Sequence, residues 1–113
     1  MFNIKKVKIV VFVPENYKDI IINAMCLSGA GIINNYSYCT SSTKTVGTFM
    51  PNEKANPFIG NSNKIEFVNE IKLEAICDKN KVLEVIKSIR KNHPYEEPEI
   101  DIIPLLSEED FIE

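Results

Sequence analysis

The chain has 113 residues, 44% of them hydrophobic and 26% charged, proportions that fit one globular domain and exclude a disordered chain. A net charge of −3 leaves no cationic footprint for nucleic acid or an anionic membrane surface. Cys26, Cys39 and Cys77 are odd in number, widely spaced and without a C-x-x-C pair, which excludes a disulfide framework and a structural zinc site and points to the reducing cytoplasm.

The opening residues do not read as a signal peptide, because the apolar run 9–13 is too short and Pro14 closes it. No stretch approaches the ~18–20 apolar residues of a membrane span. Residues 6–13 place Val7, Ile9, Val11 and Val13 on one face and Val10 and Phe12 on the other, the pattern of a central strand covered on both sides. Residues 15–28 predict a helix whose apolar face holds Tyr17, Ile20, Ile21, Ala24 and Ser28, flanked by Met25 and Leu27 and ended by Gly29. The Tyr/Ser/Thr-rich stretch 36–43 predicts a strand, and 45–50 its hairpin partner with Gly47 as a bulge.

Residues 51–64 are polar, contain two prolines and must form a long loop. Residues 65–77 alternate as a strand, with Ile65, Phe67, Ile71, Leu73, Ala75 and Cys77 on one side and a bend or bulge near Val68 and Asn69. Residues 78–91 predict a second helix with Val82, Leu83, Val85, Ile86 and Ile89 inward, ended by Pro94. Residues 98–104 predict the last strand. The expected organisation is one domain over 1–106 with an acidic C-terminal tail over 107–113.

This order predicts an α+β, ferredoxin-like βαββαβ fold, an antiparallel sheet with two helices on one face, an extra hairpin and a long loop. Two helices cover one face only. Val10 and Phe12, joined by Ile103 or Ile100, then lie on the bare face, where each wet side chain costs ~1.5–3 kcal/mol relative to burial. The expectation is a homo-oligomer, a trimer.

Four groups of residues carry a family resemblance: Val-Val-Phe-Val-Pro at 10–14; Gly29-Ala-Gly31 with Asn35-Tyr36 and Tyr38-Cys39; Gly-Thr-Phe-Met-Pro at 47–51 with Ala-Asn-Pro-Phe-Ile-Gly at 55–60; and His-Pro-Tyr-Glu-Glu-Pro at 93–98. Over roughly residues 7–105 the chain resembles the PII/CutA-like domain inserted in YqfO-type proteins of the Nif-three-like dinuclear-metal group. The last stretch also resembles CutA, a ferredoxin-like trimer of the divalent-cation-tolerance family. The resemblance implies fold and trimerisation more than activity, since the dinuclear metal ligands of the larger proteins lie in flanking domains.

His93 with Glu96 and Glu97 is the one cluster with ligand chemistry, suited to zinc, copper or manganese; zinc or copper is the candidate cofactor. An extended 93–98 segment sets His93 and Glu97 ~13 Å apart and turns Glu96 and Glu97 to opposite faces, so a metal needs a turn, a neighbouring subunit, or Cys39. The competing reading makes His93 the end of the second helix, favoured there by the dipole. Cys39 has no base near it in sequence and reads first as a packed thiol. Phe58 in the polar loop is either a core or subunit plug or the lid of a small-ligand site.

The ligand-site candidates are therefore Cys39, Phe58, His93 and Tyr95, the metal candidates His93, Glu96 and Glu97, and no catalytic set is present. The functional expectation is a non-enzymatic trimeric module binding a small ligand or divalent metal at inter-subunit clefts. The alternative is a purely structural assembly domain for a larger partner protein, with metal-dependent hydrolysis last.

Overall fold

The computed structural model describes residues 3–112; Met1, Phe2 and Glu113, the last residue of the expected tail, lie outside the described residues. Strand β1 (Lys6–Pro14) leads through a short turn into helix α1 (Lys18–Leu27), then come β2 (Thr40–Phe49), β3 (Glu66–Asp78), helix α2 (Val82–Asn92) and β4 (Ile100–Leu105). The sheet order is β2-β3-β1-β4, with every neighbouring pair antiparallel. This is the expected ferredoxin-like arrangement. Its two long central strands are the two segments whose sequences read most plainly as strands.

One core joins the layers. Val7, Ile9, Val11 and Val13 of β1 and Ile71, Leu73, Ala75 and Cys77 of β3 meet Ile21 and Met25 of α1 and Val85 and Ile89 of α2. Both helices therefore cover the same sheet face. On α1 the buried residues are Ile21, Ala24 and Met25, while Ile20 and Leu27 are exposed, so the inward stripe is rotated toward Met25 from the sequence expectation. Leu83, expected inside α2, is 79% exposed. Narrow inward stripes suffice because each helix rests on a flat sheet and one neighbouring helix.

The hairpin expected between 36–43 and 45–50 is absent. Residues Thr40–Phe49 run as one strand paired along its whole length with β3, from Thr40 opposite Ala75 to Phe49 opposite Glu66. The long β3 outcompetes a local turn, because Thr43-Lys44-Thr45 has no strong turn pair and the ladder with β3 pairs β2 along its whole length. Neither Gly47 nor Val68–Asn69 forms a bulge; the register passes through both without interruption.

The uncovered face differs from expectation in a way that matters. Val10 is only 2% exposed within a single chain. It sits in register between Glu74 and Asp101. A small side chain on a central strand is shielded by the strands on either side. Phe12 is half-buried, and Ile100 lies opposite Val11 on the helix side of the sheet, so only Ile103 keeps its expected place and exposure. The bare-face argument for oligomerisation thus fails for Val10.

Apolar exposure is concentrated elsewhere. The β2–β3 pair runs on past the end of β1 as an arm, and Val46, Ile65 and Phe67 are each about two-thirds exposed or more, at 66%, 65% and 73%. Beyond β4 the expected tail forms a short turn (Glu108–Phe111) with a capping box, in which the Ser107 backbone N–H donates to Asp110 Oδ2 at 2.8 Å. Urea denaturation checks the packing: Ile89→Ala loses about 2–5 kcal/mol, and Leu83→Ala stays within about 0.5 kcal/mol of the parent.

Candidate functional site

The site begins where β1 outruns β4. Pairing between them ends at Val11 opposite Ile100, with one further long bond from the Phe12 N–H to the Glu99 carbonyl at 3.4 Å. The Phe12 carbonyl on that same side has no strand partner. His93 supplies one. Helix α2 stops at His93, whose backbone is extended (φ −81°, ψ 135°) and followed by Pro94, which cannot continue a helix. The imidazole, 8% exposed, reaches back so that Nε2 lies 2.7 Å from the Phe12 carbonyl oxygen, while Nδ1 lies 3.1 Å from the Tyr95 backbone nitrogen.

Those two contacts fix the proton. A backbone N–H only donates, so Nδ1 must be bare; a carbonyl only accepts, so Nε2 carries the hydrogen. Burial pushes the imidazole pKa below its usual value, against smaller opposing effects of the Phe12 carbonyl and the Glu70 charge. His93 is therefore neutral, and its one free ring lone pair, on Nδ1, receives the Tyr95 amide.

Tyr95 builds outward from this base. Its ring centroid is 4.7 Å from that of His93, and its hydroxyl donates to Glu70 Oε2 at 2.9 Å. Burial first, and then the Glu70 carboxylate, push the phenol well above its usual pKa, so it remains a donor. Glu70 comes from β3, opposite Pro14, and is 8% exposed. A Cβ on Gly47 would collide with Glu70 Oε1, so the strand glycine makes room for this carboxylate.

The long loop closes the other side. Phe58 packs edge-on against Tyr17 at 6.0 Å and lies 6.4 Å from Tyr95. The Asn56 backbone N–H donates to Glu96 Oε1 at 2.9 Å, clipping the loop to the segment after α2. Between them opens a cleft of about 310 Å³, floored by Phe12 and Phe49 and bordered by Phe58, Tyr95 and the carboxylates of Glu70, Glu96, Glu97 and Glu99.

Of the sequence candidates, Phe58, Tyr95, Glu96 and Glu97 meet at this cleft, and His93 sits behind Tyr95 as its support. Residues 95–97 bend and do not run extended as expected. Cys39 is not brought here. It lies beside Gly31 (φ +75°), whose amide bonds the Ile76 carbonyl, about six β3 residues or ~20 Å from Glu70. There its neighbour is Cys26, whose thiol is raised by burial and then by Cys39. Among the described residues no three His, Cys, Asp or Glu side chains converge to hold a metal. The sequence reading missed Glu70 and Gly47. A glycine inside a strand was the available signal, since it marks close approach as well as bulges.

No family model matches the chain. A GTP cyclohydrolase 1 type 2 homolog of Halalkalibacterium halodurans is 48% identical over 101 residues, covering 89% of this chain and 27% of that protein. The Bacillus subtilis protein of the same name is 40% identical over 98 residues. The chain thus spans about a quarter of the length of the curated relatives it matches. Among solved structures, a Bacillus cereus protein related to NIF3 superposes with a TM-score of 0.81 at 36% identity, over 95% of this chain and 27% of that one. The periplasmic divalent cation tolerance protein CutA of Archaeoglobus fulgidus gives 0.66 at 18% identity, over 90% and 85% of the two chains, a likeness of fold.

Two outcomes test the geometry. His93→Ala orphans the Phe12 carbonyl and the Tyr95 amide and costs about 2–4 kcal/mol in chemical denaturation. Because the native pKa of His93 is lowered, the unfolded chain binds more protons. Stability is accordingly full above about pH 6.5 and declines as pH falls below it, a slope that His93→Ala reduces.

Proposed function

We propose that this chain, similar over most of its length to one segment of Nif-three-like proteins and in fold to CutA, is a non-enzymatic, self-associating module that binds a small ligand. The observation that carries the reading is the cleft itself: a preformed concavity with an apolar floor and a few polar groups held in place from behind. Phe58 acts as the lid, and Tyr95 and Glu70 as the orienting groups. The functional unit is residues 1–106, with 107–113 as its tail, working in the cytoplasm.

We further propose a trimer. Support for it has moved from the open sheet face to the projecting β2–β3 arm, where Val46, Ile65 and Phe67 would be wet in a lone chain. Apolar patches of this kind mark surfaces that meet another protein. Packing arms around a threefold axis would bring neighbouring chains to the rim of the cleft, which starts at Thr48, Phe49 and Met50 of the arm.

A bare divalent metal is the weaker form of the ligand proposal, because His93 has both nitrogens occupied. A purely structural assembly role is the competing reading, favoured by the exposed arm alone. A thermal-stability screen against metals, nucleotides and small metabolites separates them. A ligand at 100 times its dissociation constant stabilises the fold by about 2.7 kcal/mol, and silence across the panel favours assembly only. Light scattering should give three chains per particle for the parent and a smaller mass for Phe67→Asp; a parent mass of one chain contradicts the trimer.

A further inference from the structure

From the charges around the cleft we infer that its ligand is a small organic cation, an ammonium group carried on an apolar body; this deepens the ligand-binding reading above and rests on it. Four carboxylates border the cleft and no Lys, Arg or His lines it. Glu70 is the decisive one. Its residue is 8% exposed and lines the cleft, with Oε2 accepting the Tyr95 hydroxyl and Oε1 beside Gly47. The ion pairs among the described residues are Lys6–Asp78 and Lys72–Glu74, so Glu70 has no cationic partner. A carboxylate held at an apolar cleft without a counter-charge attracts a cation more strongly than one in open water.

The remaining walls select the kind of cation. Among the described residues no three potential ligands converge as a metal would require, whereas Phe12, Phe49, Phe58 and Tyr95 line the same space. Aromatic faces attract ammonium groups and simultaneously bury the hydrocarbon attached to them. A volume of about 310 Å³ matches a molecule of some ten heavy atoms, at the lower end of ligand pockets. Crowding is already visible at the rim. Glu99 has its pKa raised by burial, by a hydrogen bond with Asp101, and by the charges of Asp101 and Glu70.

The test is calorimetry on the whole chain near neutral pH with benzyltrimethylammonium, benzyl alcohol, benzoate and zinc chloride. The cation should bind, the alcohol and the anion should not, and Glu70→Gln should weaken the cation by about tenfold or more. Since Glu70→Gln also touches Tyr95, the exposed pair Glu97→Gln and Glu99→Gln provides a second reading: about threefold weaker binding with unchanged thermal stability. Equal binding of alcohol and cation, or full affinity in both variants, overturns the inference. Zinc or benzoate that binds while the cation does not also overturns it but leaves the ligand-binding module standing. Silence of all four probes overturns the inference, and the thermal screen then decides the module.

Discussion

The interaction on which the rest of this architecture depends is the bridge made by one neutral imidazole. β4 is too short to pair with the end of β1, so a sheet carbonyl at Phe12 would be left without a partner. His93 satisfies it from the end of α2 and in the same stroke receives the Tyr95 amide, so one ring joins sheet, helix terminus and the crossing into β4. Once that ring is fixed, Tyr95 has one place to stand, its hydroxyl locates Glu70, and Gly47 is the only residue that leaves Glu70 room. The cleft is a consequence of finishing a ladder.

This chain of dependencies explains why the histidine is better understood as a support than as a ligand. A metal-binding imidazole needs a bare nitrogen directed at the metal and a partner behind it. Here both nitrogens face backbone groups. The polar chemistry available to a ligand lies one layer further out, on Tyr95 and the carboxylates, where hydrophobic walls strengthen each electrostatic contact. The loop that covers the cleft is held by aromatic edges, by the clip to Glu96 and by the Asn61 N–H donating to Glu66 Oε1.

The sequence disclosed the scaffold because the scaffold is periodic. Alternation in 6–13 and 65–77 and the helical stripe around Val85 and Ile89 are local patterns, and they set the sheet and its covered face. It disclosed less where partners are distant. The one-strand β2 was hidden because 40–49 is weakly apolar and its pairing depends on β3, which begins seventeen residues after β2 ends. The rotation of α1 toward Met25 depends on where α2 lies, which no pattern within α1 records. Glu70 sits on the polar side of an alternating strand and reads as solvated; only the register beside Pro14 and the missing side chain of Gly47 make it a buried group. The segment 93–98 stood out by composition, yet its meaning depended on the unpaired Phe12 carbonyl eighty-one residues earlier.

In the proposed role the ferredoxin-like sheet carries an acidic, aromatic cleft that receives a ligand, while the β2–β3 arm meets other copies. That description requires the cleft to be preformed, and preformation requires the imidazole to be neutral with its hydrogen on Nε2. Nitrogen-15 NMR of the single histidine, on the intact chain at neutral pH, measures this directly. The account predicts a protonated Nε2 and a bare Nδ1; a hydrogen on Nδ1, or a ring carrying both protons, would contradict it.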